Sequence, residues 1–450
     1  MTLAASTPLS AHLEVASGRG GAWDVDASEA RGPRPQGGGF SRPDIIEVFG
    51  GQNGAPTGGG TPERGATRER LATIHDAIRN RQETPRAVHH CGRVPLGGAV
   101  WVTVADREGR RPSASVSGVQ RCGLPHECPS CRRTMSMERA AVVQQVLEDA
   151  RRRGWSLYLV TLTVRHGPQH RIRDTVVGLR RAWTRLTRSR AWFELRHEIG
   201  GLEVIRGLET TYGENGAHPH IHAVFGVPPV DGAGPMRVGT RRDSEAELDI
   251  EGRLIDVLDA RWAPAVVATM GPDHAPDDAH GVDVQAARDA TGAGGYIAKL
   301  GLELTLESKG SRAGRTPLDV LSDWVDHRRE EDWRLWRAHA DAWRGERLLT
   351  WSRGWGGAWR EEAEAHLEAE LEATTTTTTV AEVPHEDWSV VVRCAPREVR
   401  ALVVHLEEVA DRSSAWEVGW GALLSRARDL EWAELAEKIA DRVDSTAQNH

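Results

Sequence analysis

The stretch GENGAHPHIHAVFGV contains an Asn-Gly pair between two runs rich in apolar residues. Asn215-Gly216 is a strong signal for a tight hairpin turn, because such turns need residues that tolerate positive φ. It predicts two neighbouring antiparallel strands, near 203–212 and 219–227. Because side chains alternate between the two faces of a strand, the three histidines at alternating positions in HPHIH share one face.

Pairing within this hairpin brings Glu209 onto the histidine face. With a four-residue loop Glu209 lies opposite His220, and with a two-residue loop it lies opposite His222. Both registers keep it on the same face. Two imidazoles and a carboxylate that converge on one face predict an open divalent-metal site suited to Mg, Mn or Zn. His218, at the turn end, is the outermost candidate ligand.

The elements around the hairpin alternate between strand and helix. SLYLVTLTV at 156–164 predicts a strand, and apolar residues at spacings of three and four from Ile172 to Leu186 predict an amphipathic helix. A helix near 245–262 and a short strand at 281–287 follow, and then a helix with a glycine-rich start. The order β-α-β-β-α-β predicts an α+β fold, an antiparallel sheet with helices on one face.

Composition divides the chain into segments. Gly/Pro-rich sequence cannot bury enough apolar surface to offset chain entropy, and a threonine run behind an acidic stretch is typical of a linker. The predicted segments are a disordered tail (1–85), a cysteine-containing module plus helix (86–154), the sheet domain (155–310), a Trp-rich helical extension (311–360), an acidic and poly-Thr linker (361–383) and a small acidic, mostly helical module (384–450).

Charge is distributed unevenly along the chain, whose formal net charge is −8. Residues 131–200 hold 15 arginines against 6 acidic residues, whereas residues 361–450 hold 8 basic against 20 acidic residues. The basic block predicts a polyanion site, with a merely solvated helix face as the alternative. The arginines expected to contact DNA are Arg180, Arg181, Arg185 and Arg188.

Five cysteines are too few for a disulfide scaffold in a chain of this length. Four of them form a pattern that includes a Cys-x2-Cys knuckle and predicts a structural zinc site. The alternative is that they are buried thiols without metal. The four candidate ligands are Cys91, Cys122, Cys128 and Cys131.

Tyr296 is the candidate nucleophile among three tyrosines. It follows two glycines at a predicted helix start, and Lys299 lies one turn further on. Backbone N–H groups at a helix start and a nearby lysine both favour phosphate. A tyrosine hydroxyl needs a metal or cation beside it to attack at neutral pH. The metal site and the basic block favour this role over simple packing.

Tryptophan is concentrated towards the end of the predicted helical extension. Trp333, Trp336 and Trp343 have helical spacing, which predicts packing in a core. Stacking on the bases of single-stranded DNA is the functional alternative.

Three short segments carry a resemblance to a known family. LVTLTVRHG (159–167), HPHIH (218–222) and YIAK (296–299), in this order, resemble the three motifs of HUH-type rolling-circle replication initiators of plasmids, which are single-tyrosine nicking and joining enzymes. The flanks LETTYGENGAHPHIHAVFG and HGVDV, and the cysteine segment CGLPHECPSCRRTMSMER, resemble the actinobacterial plasmid branch. The resemblance covers about 90–355.

The resemblance implies a ferredoxin- or RRM-like HUH endonuclease domain and a mechanism. Mg or Mn held by His220 and His222 would polarise the scissile phosphate of a single-stranded or hairpin segment in a supercoiled plasmid origin. Tyr296 would attack it and keep the 5′-phosphate, and the freed 3′-OH would prime replication. The implied partners are the origin DNA and the host helicase and replication machinery. Glu209 is the third ligand on hairpin geometry alone.

The chain departs from some initiators of this kind at Gly292, where they carry a glutamate that activates water to end the cycle. Glu303, two turns after Tyr296, is a candidate substitute. A transposase with the same chemistry and a non-catalytic origin-binding regulator stay open as alternatives. HPHIHAV also fits the pattern of histidine-triad hydrolases, but those lack a downstream Tyr-x-x-Lys helix.

No run of about 18 apolar residues occurs in the sequence, and the first residues do not resemble a targeting signal. We therefore expect no membrane partner and a cytoplasmic location. The oligomeric state and the origin sequence are not specified by these patterns.

Overall fold

The structure, a computed structural model, describes residues 63–229, 245–277, 280–287, 314–347 and 349–447. The strands are β1 (Ala99–Arg107), β2 (Ser113–Ser117), β3 (Ser156–Leu162), β4 (Glu203–Gly213), β5 (Gly216–Val227), β6 (Val282–Ala286), β7 (Leu349–Trp351) and β8 (Thr375–Pro384). The helices are α1 (Glu63–Arg79), α2 (Arg86–His90), α3 (Pro129–Arg152), α4 (Ile172–Thr187), α5 (Arg190–Glu198), α6 (Glu245–Met270), α7 (Pro317–His327), α8 (Glu330–Trp343), α9 (Arg360–Thr374), α10 (His385–Cys394), α11 (Pro396–His405) and α12 (Arg412–Ala447).

The larger sheet has the strand order β6-β3-β5-β4-β7, and every neighbouring pair in it is antiparallel. Its first four strands are those expected from the sequence, and the predicted α+β class with an antiparallel sheet is confirmed. The fifth strand, β7, lies in the segment predicted to be a purely helical extension. That segment does contain the helices α7 and α8, but a strand was not expected in it, and Leu349–Trp351 pairs with β4.

The apolar face of this sheet packs against α4, α5 and α6. Tyr158, Ile221 and Phe225 are fully buried there, and α6 adds Trp262, also fully buried. The amphipathic spacing of α4 puts Leu179 and the rest of its apolar stripe on the sheet and leaves its arginines outside.

The opposite face of the sheet is covered in part by α3 and α9. Leu157, Leu159 and Val224 pack there against Val146 of α3 and Ala363 of α9. The histidines of β5 lie on this second face, since they alternate in register with Val224. They therefore lie at the end of a helix-covered surface.

Of the two registers expected for the hairpin, the structure has the one in which residues 213–216 form the turn. Glu209 pairs with His220, and the strands close at Gly213 and Gly216 with two residues between them. Gly216 has φ +85, a left-handed conformation that glycine adopts at no steric cost.

The predicted linker at 361–383 is wrong. The acidic run forms helix α9, and Thr375–Pro384 forms a strand that pairs antiparallel with β1 along its whole length. Threonine is β-branched and favours strands, and the long-range partner that fixes it is absent from local sequence. The resulting sheet, in the order β2-β1-β8, packs its valines against α10, α11 and α12.

The predicted disordered tail is wrong for its last part. Residues 63–79 form α1, and Ile74 and Ile78, one turn apart, are buried beside Val88. The packing partners of this short apolar pair lie far away in sequence, in α7 and α8. The remainder of the predicted tail, residues 1–62, lies outside the described residues.

The tryptophans of α8 are core residues. Trp333, Trp336 and Trp343 are at most 3% exposed and stack near His339 and Trp324. Side chains buried to this extent cannot offer a face to a nucleic-acid base, so core packing is confirmed over base stacking. Among the described residues, none of the helices combines the length and apolar character needed to cross a membrane.

Candidate functional site

A carboxylate and two imidazoles meet on the second face of the large sheet. Glu209 Oε2 lies 3.3 Å from Nε2 of His220 and 3.3 Å from Nε2 of His222, and the two Nε2 atoms are 2.9 Å apart. The three side chains are between 8% and 14% exposed. The sequence prediction that these residues lie together is met by this geometry.

Hydrogen bonds orient both imidazole rings. His220 donates from Nδ1 to the carbonyl oxygen of His218 at 3.0 Å, so its Nε2 carries a lone pair. His222 places Nδ1 3.1 Å from the hydroxyl of Thr161, on the neighbouring strand β3. Such contacts behind a metal-binding histidine fix its tautomer and its orientation.

The donor set fits a divalent cation. Two imidazole nitrogens and a carboxylate oxygen this close together are stabilised by positive charge between them, which a shared proton or a metal cation supplies. Metal bonds of about 2.1 Å place neighbouring ligand atoms roughly 3.0–3.4 Å apart, as found here. Three protein ligands leave coordination positions for water or substrate. These residues would therefore hold Mg, Mn or Zn.

His218 is not brought into this group. Its ring stacks on His166, with centroids 4.3 Å apart, and its centroid is 5.0 Å from that of His220. Burial lowers the pKa of His218 to about 4, so the ring is neutral. The backbone carbonyl of His218 accepts the hydrogen bond that orients His220, whereas the His218 side chain lies outside the triad.

Tyr296 and Lys299 lie outside the described residues, as do Gly292 and Glu303. The chain on either side of that segment is tied to the sheet that carries the metal triad. Ala287 donates to Leu157, and Arg315 exchanges two backbone hydrogen bonds of 2.8 Å with Tyr212.

The other two tyrosines are buried. Tyr158 is fully buried in the core, and the hydroxyl of Tyr212 lies 2.8 Å from Nδ1 of His339. Burial raises the pKa of Tyr212 further above its ordinary value. Neither hydroxyl is suited to attack a phosphate.

A second cluster joins four thiols at the start of α3. Sγ of Cys131 lies 3.5 Å from that of Cys91 and 3.4 Å from that of Cys122, and Cys128 lies 3.8 Å from Cys91. Zinc–sulfur bonds of about 2.3 Å in a tetrahedron require sulfurs roughly 3.8 Å apart. All four sulfurs are free thiols, so the set fits the predicted structural zinc.

The surroundings of the thiols suit a negatively charged metal–thiolate centre. His75 places Nε2 3.5 Å from Sγ of Cys128, and burial lowers the pKa of His75 to about 4. The buried guanidinium of Arg79 donates to the carbonyl of Cys91. Hydrogen bonds from Cys122 and the other thiols lower the pKa of Cys91.

Two neighbours of the metal triad were not anticipated from the sequence. Thr161 lies on the same face as His222 and could have been found from strand alternation in LVTLTV. Arg132 follows Cys131 directly, and its charge interacts with Glu209 while burial lowers its own pKa. Only the folded contact between α3 and β4 reveals Arg132.

The predicted DNA-contacting arginines lie on one helix or at its end. Arg180, Arg181 and Arg185 are exposed on α4, and Arg188 is its exposed C-terminal cap. Arg180 forms an ion pair with Glu346, a residue distant in sequence: its Nε lies 3.8 Å from the Glu346 carboxylate. The surface is accessible to a polyanion.

Residues 114–230, which contain the first two motifs and the metal triad, match the family model of replication proteins. Over these residues the chain is similar to replication proteins. It is 30% identical over 294 residues to "Protein rep" of Streptomyces lividans, covering 53% of this chain. It is also 29% identical over 193 residues to "Neomycin resistance protein" of Streptomyces cyanogenus, covering 36% of this chain and 43% of that protein.

The relationship to actinobacterial replication proteins that the motifs predicted is confirmed by these matches. The chain spans 63% of the length of the Streptomyces lividans replication protein. No solved structure matches it significantly.

We predict that purified protein contains zinc, measured by elemental analysis, and that Cys131→Ser loses it. Loss of a structural zinc removes folding free energy, so the thermal midpoint of Cys131→Ser should fall by several degrees or more. Cys394→Ser is the control, because Cys394 in α10 is not one of the four clustered thiols, and it should keep its zinc. Wild-type protein free of zinc would contradict the assignment.

We predict that Glu209→Gln weakens Mn²⁺ binding, measured by calorimetry, by at least tenfold, because it removes a charged ligand. His218→Ala should weaken binding less, since its backbone carbonyl still orients His220. Equal losses in the two variants would place the His218 side chain among the ligands. Unchanged binding in Glu209→Gln would remove Glu209 from them.

Proposed function

We propose that this protein initiates rolling-circle replication of a plasmid by nicking one strand of its origin through a 5′-phosphotyrosine at Tyr296. The observation that carries the proposal is the recessed triad of Glu209, His220 and His222 in a chain that is similar to replication proteins. Three ligands with positions left for substrate suit chemistry on a phosphate rather than a purely structural metal site.

The identity of the nucleophile is supported by elimination. Tyr158 and Tyr212 are buried, and Tyr212 is held by His339. Tyr296 is the remaining tyrosine of the three in the chain. The described chain on either side of the segment that bears it is hydrogen-bonded to the sheet of the triad, at Ala287 and Arg315.

The proposed reaction conserves the phosphodiester energy. The Tyr296 oxygen loses its proton and attacks phosphorus, the P–O3′ bond breaks, and the 3′ oxygen leaves as a hydroxyl after taking up a proton. The 5′-phosphate stays on tyrosine as an ester. A later 3′-OH can attack this ester in the reverse sense, which rejoins the strand without ATP.

Each residue of the triad has a defined part. His220 and His222 present Nε2, fixed by their Nδ1 contacts, and Glu209 supplies negative charge. A bound Mg or Mn supplies Lewis-acid polarisation of a phosphoryl oxygen. Lys299, one predicted turn from Tyr296, would stabilise charge on the phenolate or the phosphate.

Arginines on α4 would hold the DNA backbone. Arg180, Arg181, Arg185 and Arg188 are exposed on a helix whose other face is in the core. Phosphate contacts of this kind position the duplex or strand and carry no sequence information. Host helicase and replication proteins would then extend the freed 3′-OH.

Two alternatives differ in chemistry or role. A transposase would use the same triad and tyrosine, and the genetic surroundings, an origin or element ends, would separate it from an initiator. A non-catalytic origin-binding regulator would bind without cleaving. The similarity to replication proteins favours an initiator, and the complete triad favours an active enzyme.

We predict that Tyr296→Phe abolishes nicking of a supercoiled plasmid that carries the protein's own coding region, with Mg or Mn present, together with the covalent adduct on a denaturing gel. Binding of the plasmid should change little, since phosphate contacts lie elsewhere. Tyr212→Phe is the matched control and should still form the adduct. An adduct formed by Tyr296→Phe would overturn the assignment.

We predict that changing Arg180, Arg181, Arg185 and Arg188 together to Gln weakens DNA binding and flattens its dependence on salt, because fewer counterions are released. The position of the nick should not change. The control changes exposed or ion-paired arginines of the C-terminal helices, Arg393, Arg397, Arg426 and Arg428. The binding affinity of both variants is measured across a series of salt concentrations. If the dependence of affinity on salt is unchanged in the α4 variant, these arginines form only a solvated helix face.

A further inference from the structure

Two pairs of imidazole rings in contact, joined by a backbone turn, lead away from the metal triad. The ring centroids of His220 and His218 are 5.0 Å apart, and those of His218 and His166 are 4.3 Å apart. His166 and His170 lie at the two ends of one turn, closed by a hydrogen bond from His170 to Gly167. His170 then lies 4.0 Å from His274, beyond the C-terminal end of α6.

These rings, which we call the histidine track (His218, His166, His170 and His274), end in a groove. The groove has a volume of about 590 Å³ and lies between α4 and the end of α6. Gly178 in its lining lets Met270 pack closely, because a Cβ there would collide with Met270. His274 belongs both to the track and to the groove lining.

The groove is cationic. Arg173, Arg180 and Arg181 line it together with the carboxylate of Asp174, and Glu346 pairs with Arg180 at 3.8 Å. Arg173 donates a hydrogen bond to the backbone carbonyl of Asp341. Because a carbonyl oxygen carries no formal charge, this contact does not neutralise the positive charge of Arg173.

Flat rings followed by guanidinium groups match the two parts of a single nucleic-acid strand. Unstacked bases lie on aromatic or histidine rings, and phosphates pair with arginine. A duplex keeps its bases stacked on each other and cannot use the rings in this way. The triad is recessed, so an extended strand is also the form that could reach it.

We propose that single-stranded DNA flanking the scissile phosphate runs from the metal triad along the histidine track into the groove between α4 and α6. This inference rests on the proposed function, because it takes the triad as the place of cleavage. It assigns base stacking to His166, His170 and His274, and phosphate contacts to Arg173 and Arg181.

The test measures binding of the full-length protein with Mn²⁺ to fluorescent oligo-dT of about 4 to about 16 nucleotides, the site sizes usual for single strands. His170→Ala/His274→Ala should bind the longer oligonucleotides about tenfold more weakly, and Arg173→Gln also more weakly. His366→Ala/His385→Ala, at exposed histidines on α9 and α10, is the control and should bind like wild type. A blunt duplex of equal length should bind all of these histidine variants equally.

A variant with retained flat rings separates stacking from folding defects. His170→Phe/His274→Phe should bind oligo-dT within a few fold of wild type, because phenylalanine also stacks on bases. Wild-type binding by the double alanine variant overturns the proposal. So does an equal loss for single strand and duplex, which would make the groove a general polyanion surface.

Failure of the track and failure of the proposed function give different results. If wild type nicks its plasmid but the double alanine variant binds oligo-dT normally, the track is wrong and the nicking function stands. If wild type forms no adduct but the double alanine variant still loses oligo-dT binding, the nicking function is wrong, and the groove binds single strands for another purpose.

Discussion

The register of the β4–β5 hairpin is the constraint on which the candidate site depends. Glu209 and His220 are directly paired, and a slip of one residue would turn the carboxylate to the opposite face, into the core under α4. Gly216, in its left-handed conformation, closes the turn against Pro168 of the loop that carries the histidine track. A short turn therefore sets both the metal ligands and the surface beside them.

Much of the large sheet could be predicted because its information is local. Alternation in SLYLVTLTV, the spacing of apolar residues in α4 and the Asn-Gly turn each specify an element without a distant partner. The triad was predictable for the same reason, since its three ligands lie on one hairpin. The sequence left two registers open for the hairpin, and the structure was needed to choose between them. The structure was also needed to exclude the His218 side chain from the ligands.

Features that depend on distant partners could not be predicted. Thr375–Pro384 is a strand only because β1 lies beside it, and Ile74 and Ile78 of α1 are buried only because α7 and α8 cover them. Low-complexity composition gave the wrong answer in both places. The charge interaction of Arg132 with Glu209, and the ring contacts of His166 with His218 and of His170 with His274, likewise arise between segments far apart in sequence. The four thiols were found by motif, but their mutual distances were not.

The pairing of β1 with β8 has a consequence for synthesis on the ribosome. β1 emerges early, yet its partner strand and the helices that cover its valines are made near the end of the chain. Until then β2-β1 is a two-stranded ribbon with an open edge, a form that is marginal in water and prone to pair with other chains. We expect the segment around β1 to depend on chaperones during translation until β8 and these helices have been made.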